Sequence, residues 1–302
     1  MECVVNPGPI DRTVLLSQNE HKSEFLWKGE IPFSNLMRTV HMNDAWNLFC
    51  LHRPHERVEE ILRRSGLYDV VCVGRMQYDH ALVTAMVERW RPETHCFHLP
   101  FGEVTITLQD AGYLISLQYL AFLDPIHNVG KYSWGSAVLV YLYRALCRAS
   151  IGNVVDICEF IPLLQVLCWE GILFVQPSAP PQHDGDMLLP YARRWTRGID
   201  RDTESHHVLI PIRDQLDRMT EDQYVPVIPS WGTNHHVHDQ RRRLGPEVLE
   251  IMNKYFRDWD NRHQSLAVEV NDSTSWAGYR LWYMRHGRLL IVAERHNLSF
   301  TW

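Results

Sequence analysis

Lysine is scarce in this sequence of 302 residues. Only Lys22, Lys28, Lys131 and Lys254 occur, so nearly all of the 30 basic residues are arginine. A pyridoxal-phosphate enzyme needs a lysine for its Schiff base. None of the four stands in a small-residue strand-end setting, and Lys131, in NVGKYSWGS, comes nearest. Also missing are a G-x-x-x-x-G-K phosphate loop, a G-x-G-x-x-G dinucleotide loop and a G-x-S-x-G nucleophile elbow. The seven cysteines are scattered, odd in number and never spaced C-x-x-C, which fits reduced thiols better than disulfides or a zinc site. No long apolar run goes uninterrupted. The most apolar region, 151–175, is broken by Asp156, Glu159 and Glu170, whereas a membrane span wants about 20 apolar residues. The opening MECVVNPGPIDRT carries Glu2 and prolines and does not read as a secretory signal. Basic surplus is lacking too: the net charge is −6 and the pI about 6.3, against a strong non-specific nucleic-acid binder. A soluble, intracellular protein is expected.

What is present is material for a core, with 45% hydrophobic residues and eleven tryptophans. Residues 1–30 read as an extended arm with prolines at Pro7 and Pro9. A helical stretch is expected to carry Leu36, Met37, Val40, Trp46 and Phe49, then a short helix over Pro54–Arg64 that stops at Gly66. Leu82, Met86 and Trp90 form one stripe of an amphipathic helix over Tyr78–Arg91, ended by Pro92. The period then changes to two. Phe97 and Leu99 precede Pro100–Phe101–Gly102, and Val104, Ile106 and Leu108 alternate with threonines, which predicts a β-hairpin. Thr107 reads as the cap of a following helix. Ser133–Val175 is expected to be helical and apolar nearly all round, broken at Gly152 and near Pro162. Further helices are expected at Val208–Met219, Pro246–Asn261 and Trp276–Arg285. The fold class is therefore mainly α: an irregular helical domain, 31–302, with one small hairpin near 95–108 and a proline-rich loop at 176–190.

Few residues invite chemistry. His95, Cys96 and His98 form H-C-x-H, but on a strand His95 and His98 face opposite ways, which makes a poor chelator. His235, His236 and His238, beside Asp239, sit in an expected loop, where histidines are usually solvated. No metal and no cofactor is expected. Arg241, Arg242 and Arg243 form the one basic run, a candidate nucleic-acid or nuclear-import contact beside the plainer reading of a solvated turn. For Trp276, Trp282 and Tyr283, helical spacing favours core packing over a partner surface. The arginine excess has two readings: drift in the coding sequence, or use of the guanidinium's bidentate pairing.

One segment carries a resemblance. Asp79–Asp110, with the core ERWRPETHCFHLPFGEVTITLQD from Glu88 onward, resembles the signature block of the plant mobile domain. NPGPIDRTVL at Asn6–Leu15, YSWGSAVLVYLYRALCRA at Tyr132–Ala149, RDQLDRMTEDQ at Arg213–Gln223, YFRDWDNRHQSL at Tyr255–Leu266 and YRLWYMRHGRLLI at Tyr279–Ile291 resemble its other blocks, in family order. The chain departs from the pattern twice. Ala111–Leu123 runs almost straight into Tyr132, and a tryptophan-rich block is absent after Gln223, so a shortened domain and a marginally stable chain are expected. The resemblance implies a non-catalytic nuclear protein, acting through phosphatase-like or other plant mobile domain partners in meristem maintenance, transposon silencing or genome stability. It implies no small-molecule substrate, although some relatives carry aminotransferase-like or phosphatase labels. Here GD-x-H-G, GD-x-x-D-R-G and GNHE metal-pair runs are missing, the nearest string being Asp184–Gly185–Asp186. The alternatives are a transposable-element product with weak nucleic-acid contact and a decayed, non-functional copy.

Overall fold

In a computed structural model, the structure describes residues 6–30, 36–40, 55–56, 59–60, 78–107, 134–152, 154–158, 161–177, 195, 208–225 and 273–291. Those residues form six helices, a small three-stranded antiparallel sheet and one two-stranded parallel pair: a mainly α fold. The expected helices over Pro54–Arg64 and Pro246–Asn261 and the loop at 176–190 lie wholly or mostly outside them, as do both positions where family blocks are absent.

Residues 1–30 are not an extended arm over their second half. A 3-10 turn at Gln18–Glu20 leads into α1, Lys22–Lys28, and Leu15 and Leu26 are buried. The helix starts where the His21 ring accepts the Ser23 amide, and it stops at Gly29, whose φ of 72° suits a residue without Cβ. The proline cluster had suggested an arm, but it ends at Pro9, before these signals begin. A second correction concerns Leu36–Phe49. Arg38–Val40 forms strand β1, whose distant, parallel partner supplies the hydrogen bonds that the local sequence does not announce.

The helix expected over Tyr78–Arg91 is shorter and more buried than its stripe implied. It is α2, His80–Val87, capped by the Asp79 carboxylate, which accepts the Leu82 amide at 2.9 Å, and it is buried from Ala81 to Val87. Its end precedes Pro92 because the backbone leaves the helix there: Arg89 O accepts the His98 amide and Trp90–Arg91 become strand β2, while the Glu88 and Arg89 side chains enter buried ion pairs. The hairpin follows as expected: β3, Cys96–Leu99, and β4, Gly102–Val104, pair antiparallel around Pro100–Phe101. β2 pairs with β3 on its other side, Trp90 opposite Phe97. Thr107 is exposed, and the helix expected after it lies outside the described residues.

The long apolar stretch divides into three elements. α3, Trp134–Ser150, buries Val138, Leu142, Ala145, Leu146 and Ala149, while Val140, Arg144 and Arg148 face solvent, so it is amphipathic. β5, Asp156–Cys158, then pairs with β1 in the register Arg38–Asp156, Thr39–Ile157 and Val40–Cys158. α4, Ile161–Gly171, is buried along most of its length, with Pro162 tolerated in its first turn. α5, Leu209–Asp217, lies against α2, and α6, Ser273–His286, lies outside the hairpin. One apolar cluster joins α2, the sheet, α3, β5, α4 and α5. Each large aliphatic side chain buried there contributes about 1.5–3 kcal/mol relative to exposure. Among the described residues no helix is long and apolar enough to cross a membrane.

Candidate functional site

Buried arginines hold the elements around the hairpin in place. Arg213 on α5 clasps Glu88 with two hydrogen bonds, Nε to Oε2 at 2.7 Å and Nη2 to Oε1 at 2.5 Å. Arg89 pairs with Asp217, whose carboxylate also accepts the Ile291 amide at 3.1 Å. Arg288 donates to Gly8 O, Ser23 O, Leu290 O and Glu24, and its guanidinium lies over the Trp27 ring. It ties the chain after α6 to the N-terminal segment. Arg91 has no carboxylate partner among its hydrogen bonds, which go to Gln18 and Ser23, and burial with Arg288 nearby lowers its pKa to about 9. The arginine excess thus finds structural use in bidentate and multi-donor pairing, for which lysine is a poor substitute.

The cluster with the most chemical variety sits on the hairpin. Cys96 and His98 are two apart on β3 and so share a face, and His98 pairs across the strands with Glu103 on β4. Cys96 Sγ, His98 and Glu103 donor atoms all lie within 4.8 Å of one another. The thiol donates to Glu103 Oε1 at 2.9 Å, His98 Nε2 lies 3.3 Å from the same oxygen, and the Tyr279 hydroxyl of α6 donates to Oε2 at 3.0 Å. Thr94 Oγ1 stands 2.7 Å from the sulfur. Beside them the Tyr283 hydroxyl donates to Leu99 O at 2.7 Å, and its ring meets His98 edge-on.

Electrostatics fix the protonation states of this cluster. Burial, with the Glu103 carboxylate adjacent, pushes the Cys96 thiol well above its ordinary range. Burial pulls His98 down to about 4, so the ring is neutral near pH 7. The His98 hydrogen bond, aided by those from Cys96 and Tyr279, holds the Glu103 carboxyl low. The pattern is a carboxylate saturated by three neutral donors. A nucleophilic cysteine needs the reverse, a thiolate beside a cationic or basic partner.

The same geometry bears on metal ions. The Arg288 amide donates to His98 Nδ1 at 3.1 Å, so the neutral ring carries its one proton on Nε2, the nitrogen that faces Glu103. A metal on Nε2 would need that proton moved to Nδ1, opposite an amide donor. The donor set therefore fits a hydrogen-bonded clamp better than a metal centre.

Of the residues singled out from sequence, His95 and His98 do not come together. His95 lies in the turn before β3 with a φ of 52°, exposed and stacked on Tyr143, while His98 is buried. Arg241, Arg242 and Arg243, the histidines at 235–238 with Asp239, Lys131 and Asp184–Asp186 lie outside the described residues. Trp276 and Trp282 are exposed and only Tyr283 is core, against the expectation of core packing for all three. Glu103 and its convergence with Cys96 escaped the sequence reading, although the signal was there. Residues two apart on a strand share a face, and a two-residue turn sets His98 opposite Glu103.

Comparison with known proteins adds identity to this geometry. A sequence model of the plant mobile domain matches residues 66–120 and 111–228. The two matches share 111–120, beside the point where the sequence runs straight into Tyr132. Over 73% of its length the chain is 29% identical to Serine/threonine-protein phosphatase 7 long form homolog of Arabidopsis thaliana, covering 23% of that protein. It is 23% identical to Protein MAIN-LIKE 2 of the same plant, over 72% of this chain and 44% of that one. Over 105 residues, 34% of this chain and 21% of the relative, it is 47% identical to Protein MAINTENANCE OF MERISTEMS of Arabidopsis thaliana. The chain thus spans less than half the length of these relatives, and no solved structure matches it. The matched region covers more than half of the chain, which belongs to the plant mobile domain family.

Proposed function

We propose that this protein is a non-catalytic nuclear module that works through protein partners, phosphatase-like or other plant mobile domain proteins, in meristem maintenance, transposon silencing or genome stability. One observation carries the non-catalytic part. The hairpin's thiol, imidazole and carboxylate are spent on a hydrogen-bonded clamp, with the thiol protonated and the ring neutral. The names of the relatives, two of which refer to MAIN or to meristem maintenance, support the pathway. A fluorescent fusion in plant cells and affinity recovery from isolated nuclei test the reading. Nuclear signal together with recovered plant mobile domain or phosphatase-like proteins is expected. Exclusion from nuclei overturns it. So does hydrolysis of para-nitrophenyl phosphate by the purified chain, if His98→Gln abolishes the activity.

A second reading rests on the run Arg241–Arg243, a transposable-element-derived protein in contact with nucleic acid. Salt-sensitive recovery of DNA that disappears when the three arginines become alanine favours it over the first.

A further inference from the structure

α6 presents a surface that its inner contacts leave unused. α6 turns Tyr279 and Tyr283 toward the hairpin. Its outer side keeps Leu281 71% and Met284 38% exposed, and Trp276 (48%) and Trp282 (39%) are exposed on the two flanks of the inner tyrosines. Tyr279 stacks between Trp276 and Trp282, and Trp282 stacks on His286, so the indoles stand in fixed orientations. Tryptophan, methionine and arginine are enriched at the centres of protein interfaces, whereas lysine and acids are depleted there. Ser273–His286 contains Arg280 and Arg285 and no lysine, aspartate or glutamate. Arg285 leans loosely on Asp11 at 3.9 Å, and Arg280 makes no ion pair among the described residues.

Charge decides among the occupants. A second copy docked face to face would bring Arg280 against arginine, a like-charge contact at the centre of the interface. A nucleic acid would find two arginines on a chain of net charge −6, and exposed leucine and methionine that neither phosphates nor bases need. We propose that the outer face of α6 docks an acidic amphipathic segment of another protein, its apolar stripe on Leu281 and Met284, one turn apart, and its carboxylates on Arg280 and Arg285, which flank them. This rests on the interaction-module reading above and names the surface and partner chemistry that the reading leaves open.

The test uses the full chain and a fluorescently labelled helical peptide about four turns long, with leucines at i, i+3, i+4 and i+7 and glutamates between them. Anisotropy titration is expected to show saturable, salt-weakened binding, at least about tenfold tighter than for the same peptide with lysines in place of glutamates. Leu281→Asp and Arg280→Glu should each weaken it about tenfold, with unchanged circular dichroism because both side chains are exposed. Arg280→Glu should also narrow the gap between the two peptides. No saturable binding, equal binding of the lysine peptide, tighter binding of oligo-dT, or self-association lost in Leu281→Asp each overturns the proposal. If Leu281→Asp still recovers the wild-type set of nuclear partners, this surface falls while the interaction-module reading stands.

Discussion

α4 and α6 are both rich in large apolar side chains, yet the fold treats them oppositely. α4 carries Leu163, Leu164, Val166, Cys168 and Trp169 into the core. α6 keeps Leu281 and Met284 in solvent and is anchored by two tyrosine hydroxyls and the chain that follows it. Apolar composition makes a helix eligible for burial, but neighbours on several sides are what bury it. α4 has α2 beside it and is wrapped by the core cluster. For α6, the described contacts come from the hairpin and the N-terminal segment, where Ile10 and Asp11 amides donate to Arg285 O. The inner helix is held by dispersion and exclusion of water, the outer one by a few directional hydrogen bonds and a small apolar cluster of Tyr283 with Leu289 and Leu290.

Five measurements can break or sharpen that contrast. The largest effect is expected on the inner side. Arg213→Ala leaves Glu88 buried without its partner and should cost about 4 kcal/mol, read as a lowered urea midpoint. A loss below about 1 kcal/mol would show that water reaches this seam. Next, Leu164→Ala, a truncation at a site 1% exposed in α4, should cost about 3 kcal/mol.

Acid should loosen the hairpin. His98 binds its proton in the folded state only near pH 4, against an ordinary value of 6.5, so the folded state holds fewer protons than the unfolded chain between those values. Its contribution is present above pH 6.5 and fades as pH falls toward 4, about 3 kcal/mol in all. Below about pH 4.5 the depressed Glu103 adds a loss of the same sign. Unfolding midpoints of the wild type should therefore drop across this window, and His98→Gln should drop less. His21, buried and also held neutral, supplies the slope that remains. Parallel profiles for the two proteins would exclude His98 as a source.

The smallest effects belong to α6. Tyr279→Phe removes one donor from Glu103 and should cost about 1 kcal/mol. Leu281→Ser on the open side should shift stability by less than about 0.5 kcal/mol. Equal, large losses for Leu281→Ser and Leu164→Ala would erase the distinction between the two helices.

Much of this was legible in the sequence, and the misses share a cause. The hairpin was readable because Phe97 and Leu99 lead into a proline–phenylalanine–glycine turn, a local signal, although the alternation at Val104, Ile106 and Leu108 begins where β4 ends. α5 and α6 were readable from helical spacing, and the family from the run Glu88–Asp110. The strand Arg38–Val40 was not, because its hydrogen bonds go to Asp156–Cys158, more than a hundred residues away. The end of α2 lies earlier than expected because the backbone of Arg89–Arg91 pairs with β3, a partner that the local sequence does not announce. The Glu103 clamp needed the strand register before its donors could be seen to converge.

Sequence by itself determined the helical class, the hairpin, the absence of the common cofactor loops and the family. These depend on residue spacing and on side chains acting within a few positions of one another. Tertiary structure alone decided which arginines became buried ties, that Cys96 and His98 converge on the Glu103 carboxylate, and that α6 keeps one side in solvent. Each of those depends on how far a charge or an apolar surface stands from water, and that distance is set by segments that meet only when the chain has folded.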